Sequence, residues 1–461
     1  MGAPPRSSPN LALRTAVFAA LFIALAVGLP LGQRSGVIAP LPNPGPASWA
    51  AYHRRAGDTF VQMVYLAGVE PDSAIGRRFL RRAAGYYWLA LRSSPSDIRT
   101  AVSLGLVLHA IRQDSMAKLM IARAARQPQP EAERKALSAT LIVVSSTRST
   151  PDQVAEAKRF VSGLAPGGLL LSAAYESMGD VNRAVEEWGA AEVEARRLVP
   201  WLAAMLGVCG LLTLTGLAGV VMAAVRLVRR RVAAPAPPSP AAWGMREAAE
   251  ALVCWVALAV ISTTLLARLG LVGGDREPAG IALLLPGLVA DCGAIVWVWG
   301  VSPRGRGMGW AWAKAHKQIL AGLAAAGAAA PVLLVLEQLL ERLLGPAEHP
   351  FSPVLVAAAG WRSVLVVVVA VCVVVPVLEE TLFRGILYRA LRRNWGAAPS
   401  AGVSALVFAV GHMSWTGLLP YLLLGLLLAW LYERSGSLLA PGVAHGAFNA
   451  FNLAILLALH A

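Results

Sequence analysis

The stretch VVVPVLEETLFRG, Val373 to Gly385, sets two carboxylates side by side at the end of an apolar run that begins near Val364. Ionisable side chains at membrane depth are costly, and by default they mark function. Glu380 and Arg384 stand four residues apart, a spacing that lets them pair on one helix face. Glu379 points about 100° away, so it is free to address something else. Two further sets follow: FAVGH, with Phe408 and His412 on one face, and HGAFN, with His445 and Asn449 on one face. A carboxylate, two imidazoles and a carboxamide are the groups that can activate a water and hold a developing oxyanion. A Glu in apolar surroundings gains affinity for protons, which suits a base that later acts as an acid. Taken singly, each has a blander reading, as a satisfied ion pair or a hydrogen-bonded packing histidine.

These residues need elements to carry them. The chain has 461 residues, of which 57% are hydrophobic and 15% charged. Soluble domains carry about 25% charged residues. An all-α, polytopic membrane bundle is therefore expected, with an extramembrane helical module. The net charge of +15 fits cytoplasmic loops that orient spans, and no soluble basic domain suggests nucleic-acid binding. The four cysteines all lie in apolar segments, which argues against a disulfide framework or a CxxC metal site.

The first apolar run, Thr15 to Gly32, reads as an uncleaved anchor, giving residues 1–32 a transmembrane role. Residues 33–197 contain no run long enough to span and read as an extramembrane helical module. Within it, AAYESMGDVNRAVEEWGAAE (173–192) resembles one tetratricopeptide hairpin, and AAGYYWLALRSSPSD is a looser copy. About three such units are needed to bury a continuous core, so a generic helical hairpin is an equal reading. Either makes the module an adaptor for a protein partner. Residues 198–349 hold further spans and the linker AAPAPPSPAAW. Arg226, Arg229, Arg230 and Arg231 close the second span, which places the amino terminus in the cytoplasm and residues 33–197 outside. Spans near 248–270, 280–302, 318–340, 358–388, 397–414, 417–432 and 437–459 bring the expected total to nine. The basic loops PRGRGMGWAWAKAHK and YRALRRNW then fall on the cytoplasmic side.

At about 1.5 Å per helical residue, Glu379 lies roughly 15 Å from Arg389, His445 about 13 Å from Gly436 and His412 roughly 20 Å from Pro399. The three motifs can thus meet at similar depth. In this order, EExxxR, FxxxH and HxxxN resemble the CPBP family of intramembrane proteases (the CAAX prenyl protease, Abi-type and bacteriocin-processing group). The flanks EETLFRGILYRALRR and GLLLAWLYERSGSLLAPGVAHGAFNAFN agree, and the resemblance covers about residues 350–459. It implies an intramembrane endopeptidase domain over 350–461, acting on a membrane-associated protein or peptide in a bacterial plasma membrane. It assigns the base role to Glu379, water holding to His412, and oxyanion donors to His445 and Asn449. Glu380 and Arg384 become supporting groups. The family is also called metalloprotease, and Glu379, His412 and His445 with a water would be a catalytic zinc set. No HExxH helix is present, which favours the metal-free reading. Two other classes stay open. One is a proton-coupled transporter, for which Asp291 and Glu337 would count, and the other a non-catalytic membrane scaffold or immunity protein.

Overall fold

The computed structural model describes residues 46–146, 149–228, 241, 243–269, 280–301, 307–344, 351–356, 360–412, 414 and 416–459, and the expected anchor at 15–32 lies outside them. Every regular element described is helical. The chain is a polytopic helical membrane protein.

One compact unit spans Gly45–Leu206. Its helices pair in sequence order: α1 (Pro46–Leu66) with α2 (Ala74–Ser93), α3 (Ile98–Ala110) with α4 (Asp114–Ala125), α5 (Glu131–Ser145) with α6 (Pro151–Val161), and α7 (Gly167–Ser177) with α8 (Val181–Ala195). Local chemistry starts each one. Ser73 accepts from the Gly76 amide, Asp97 from Thr100, and Thr150 and Gln153 form a reciprocal capping box before Pro151. The tetratricopeptide-like stretch is the α7–α8 hairpin. Its turn needs Gly179 at φ +78°, and Asp180 caps α8. A shared core runs through the four hairpins, including Leu80, Tyr87, Leu104, Ile121, Leu137, Val154, Leu170 and Tyr175. The second hairpin motif, around Tyr86 and Tyr87, supplies the second half of α1–α2 and is one of four pairs.

The other unit includes Gly207–Leu453. Its helices are α9 (Val199–Val228), in which the boundary between the units falls, α10 (Met245–Arg268), α11 (Gly280–Val301), α12 (Ala315–Leu344), the short α13 (Ser352–Val356), α14 (Trp361–Arg392), α15 (Ala397–Gly411), α16 (Leu418–Ser435) and α17 (Leu439–Leu459). Seven helices among the described residues are long and apolar enough to cross a membrane. The sequence leads one to expect nine. One of the remaining two is the anchor outside the described residues. The other is α15, which has 15 residues, about 22 Å of helix against roughly 30 Å of hydrocarbon.

α14 is not a regular α-helix. Its turns widen to π-helix over Ala370–Val374 and again over Thr381–Tyr388, on either side of Glu379 and Glu380. In the first wide turn the Val375 amide bonds to the Ala370 carbonyl, five residues back. In that register the Val371 carbonyl would meet residue 376, but Pro376 has no N–H. Asn449 from α17 supplies the donor instead, Nδ2 to Val371 O at 2.9 Å. In the second wide turn, Ser404 donates to the Phe383 carbonyl at 2.9 Å and Trp243 to that of Ile386 at 3.1 Å. At the far end Glu433 of α16 holds α14 by accepting from Tyr388 and Arg392.

The Asn449 bond requires α17 to lie close to α14. Gly446 makes this possible, because a Cβ there would stand 2.3 Å from the Cys372 carbonyl oxygen. Gly446→Ala is expected to destabilise the purified chain by about 1–3 kcal/mol, read as a lower thermal midpoint in detergent. Gly287→Ala, where the added carbon meets nothing within 4 Å, should leave it unchanged or raise it slightly.

The helices of the Gly45–Leu206 unit carry a pH signature. Burial pushes the Asp58 carboxyl up from 3.8 to about 6, opposed by the hydrogen bond it accepts from Tyr87. The folded state thus favours the protonated acid. Its contribution is complete below the unfolded pKa and is lost as pH rises through about 6. The Gly45–Leu206 unit should therefore lose on the order of 2 kcal/mol between pH 4 and pH 7 through this group. Asp58→Asn should flatten that slope in thermal melts.

Candidate active site

α14, α15 and α17 bring the three motifs together. Glu380 and Arg384 are both fully buried, and Arg384 Nη1 donates to Glu380 Oε1 at 2.8 Å. Arg384 Nη2 reaches the Gly425 carbonyl of α16 at 3.2 Å, and its guanidinium lies 4.5 Å from the Phe408 ring centre. Glu380 Oε1 also bonds His445 Nδ1 at 3.0 Å. An imidazole that donates from Nδ1 presents Nε2 on its other side, and here Nε2 lies 3.8 Å from Glu379 Oε2. Glu379 keeps 18% of its side chain exposed, and its Oε2 has no hydrogen-bond partner in the protein. Glu380 Oε2 and Arg384 Nε also lack one, so the pair is a single charged contact rather than a fork.

The two adjacent carboxylates thus have different surroundings. Glu380 is clamped by a guanidinium and an imidazole, whereas Glu379 is held by no cation of its own helix.

Phe408 is the hub. Its ring packs against Phe383, His412 and His445 with centroids 5.4, 4.6 and 5.6 Å apart. His412 is placed differently from the sequence expectation. The span expected to run to 414 ends as helix at Gly411, so His412 is the capping residue rather than a mid-helix one. Its Nδ1 turns back to the Phe408 carbonyl at 2.8 Å and its ring stacks on Tyr421 at 4.3 Å. His445 lies within ion-pair distance of Glu379, and His412 is within its electrostatic reach. Asn449, expected as a free donor, commits an amide hydrogen to Val371.

Sequence reasoning did not find Tyr421 or Trp255, and it named Asp291 without placing it here. Tyr421 opens α16 in an apolar run, and only the cross-helix geometry shows that it covers His412. Asp291 of α11 is buried and accepts from Trp255 of α10 at 2.7 Å. Trp255 packs on Phe383 at 5.9 Å, and its ring would touch any side-chain carbon added at Gly411. Asp291 is within electrostatic reach of Glu379, and Glu337 of Tyr421. A zinc ion would need Glu379, His412 and His445 to converge, and among the described residues no three His, Cys, Asp or Glu side chains do so.

Comparison with known proteins agrees with the geometry. Residues 361–451 match the family described as type II CAAX prenyl endopeptidase Rce1-like. This segment belongs to the CPBP family. Relatives include an "Uncharacterized 24.3 kDa protein" of Escherichia coli, 33% identical over 26% of this chain and 57% of its own length. Another is the "Putative membrane peptidase YdiL" of Bacillus subtilis, 30% identical over 20% of this chain and 37% of its own. A third is the "UPF0177 protein YxdF" of Lactococcus lactis, 31% identical over 17% of this chain and 44% of its own. The chain therefore covers less than two thirds of each of these relatives. No solved structure matches it. The CPBP segment holds all six motif residues, and Trp255 and Asp291 lie outside it.

Removing one partner of a buried pair leaves the other uncompensated, which costs about 3–5 kcal/mol. Glu380→Gln is expected to lower the thermal midpoint of the purified chain by a correspondingly large step. Glu379→Gln, at a carboxylate without a clamping cation, should change it little. Equal midpoints for the two variants would contradict the asymmetry.

Proposed function

We propose that the chain is an intramembrane endopeptidase that hydrolyses peptide bonds of a membrane-associated protein or peptide. The observation that carries this reading is the partner-free Oε2 of Glu379, turned toward an imidazole that Glu380 fixes from behind. A water bound there gives its proton to Glu379 as its oxygen attacks the scissile carbonyl carbon. The peptide C–N bond then breaks, and Glu379 returns the proton to the leaving nitrogen. His445 orients the water through Nε2. His412, whose Nδ1 donates to the Phe408 carbonyl, offers its Nε2 lone pair to a hydrogen of the water, and the second amide hydrogen of Asn449 is a donor for the oxyanion. No step in this reading passes through a metal. It rests on the family likeness of 361–451 and on the site's geometry together.

General acid–base groups contribute about 10²–10⁴-fold. Glu379→Gln should lower turnover by that factor while the protein remains folded and inserted. Substrates can be sought as membrane proteins that accumulate in cells carrying this variant, then tested with purified enzyme. Wild-type turnover by Glu379→Gln would refute the assignment, and loss of turnover on chelation, restored by zinc, would refute its metal-free form.

The same reading places the chain in a bacterial plasma membrane with residues 33–197 outside and available to a protein partner. The support is the arginine cluster that follows the second span. Ala173→Cys should react with an impermeant thiol reagent in intact cells, above the wild-type background. Labelling only after lysis would invert the orientation.

A further inference from the structure

α2 buries one face, Gly76, Leu80, Ala83, Ala84, Tyr87 and Ala90, against its neighbours. At about 100° per residue, the opposite face presents Arg77, Arg78, Arg81, Arg82, Trp88 and Arg92, all exposed. The helix contains no acidic residue. Six other arginines of this unit have carboxylate partners, as in Arg54 with Asp97 and Arg196 with Glu192. Among the described residues, none of the exposed arginines of α2 is in an ion pair of the kind those make.

The arrangement works against the isolated helix. Arg77 and Arg81, and Arg78 and Arg82, are like charges at i,i+4, which repel. They also crowd the amino-terminal end, where the helix dipole disfavours cations. The Ser73 cap and the buried face hold the helix in spite of them. Beside the arginines stand exposed apolar groups, Ile75 at 56% and Trp88 at 41%. Tryptophan favours the headgroup level of a bilayer, and the guanidinium fork fits phosphate oxygens in pairs.

We propose that this face of α2 docks on an anionic lipid surface, with Arg77, Arg78, Arg81 and Arg82 on headgroup phosphates and Trp88 seated among the headgroups. Charge complementarity selects this occupant, and the spans of the same chain keep a bilayer within reach of the tethered helices. Each basic residue beside an anionic surface favours the docked state roughly fivefold. Four of them together favour it several-hundredfold. Docking rests on no assumption about catalysis and is independent of the proposed protease activity.

The test uses the full chain in lipid nanodiscs, with Cys209, Cys254, Cys292 and Cys372 replaced by Ala. A Gly85→Cys substitution carries an environment-sensitive fluorophore; the added carbon there meets nothing within 4 Å. Headgroup-spin-labelled lipid quenches the fluorophore on close approach. Quenching should be several-fold stronger in phosphatidylcholine discs containing phosphatidylglycerol than in phosphatidylcholine alone, and should fall as salt is raised. Replacing all four arginines with Gln should abolish the difference, and replacing them with Lys should keep most of it. Thermal melts of both variants verify folding. Equal quenching in the two lipids, or quenching unaffected in a folded Gln variant, would overturn the proposal. So would a fluorophore response that appears only when an acidic polypeptide is added, since that outcome gives the face to a protein partner.

Discussion

A backbone carbonyl left without a donor inside a bilayer has no water to turn to. The candidate site is organised around that constraint. Pro376 removes the amide that Val371 O would use, and Asn449 of α17 replaces it. That one bond fixes the register of α17 against α14. His445, one turn before Asn449, is then set against Glu380 and Glu379 by the same helix. Gly446 lets the two backbones approach closely enough for both contacts to form. The geometry of the candidate site and backbone satisfaction are therefore one arrangement, and a change to either disturbs the other.

Charge is distributed by the same logic. Glu380 and Arg384 neutralise each other in full burial, with Phe408 against the guanidinium and the Gly425 carbonyl at its edge. Their pairing adds little net stability by itself, since desolvation offsets much of the attraction. What it supplies is orientation: the clamped carboxylate holds His445 by Nδ1 and leaves Glu379 as the neighbour with an open oxygen. Two residues adjacent in sequence thus take opposite electrostatic roles. π turns are frequent at functional sites, and here they flank the pair.

Much of this was legible in the sequence. The i,i+4 spacing of Glu380 and Arg384 is reproduced as a direct contact, because four residues bring side chains together even where the helix widens. The FxxxH and HxxxN motifs do bring their helices to one place. The placement of His412 was less legible. An apolar run of the right length reads as a span whether or not its last turn unwinds, and the stacking of His412 on Tyr421 involves another helix. The wide turns were also invisible to a 3.6-residue period. Pro376 was the available signal, since a proline inside a run of valines demands a donor from elsewhere. In the Gly45–Leu206 unit, one hairpin was readable from Gly179 and Asp180. The others have weaker turn chemistry, and their pairing emerges from a shared core.

The tryptophans bear on where this enzyme-like segment begins. Trp243 donates to the Ile386 carbonyl, Trp310 to Thr381, and Trp255 holds Asp291 beside Glu379. All three precede residue 361, where the family match starts. The boundary drawn by sequence similarity is therefore not an energetic boundary. A graft of 361–451 alone into another scaffold would carry every motif residue and still lose the indole donors to the Ile386 carbonyl and the Thr381 hydroxyl. The portable unit is larger than the recognisable one, because it includes the elements that deliver these indole N–H groups.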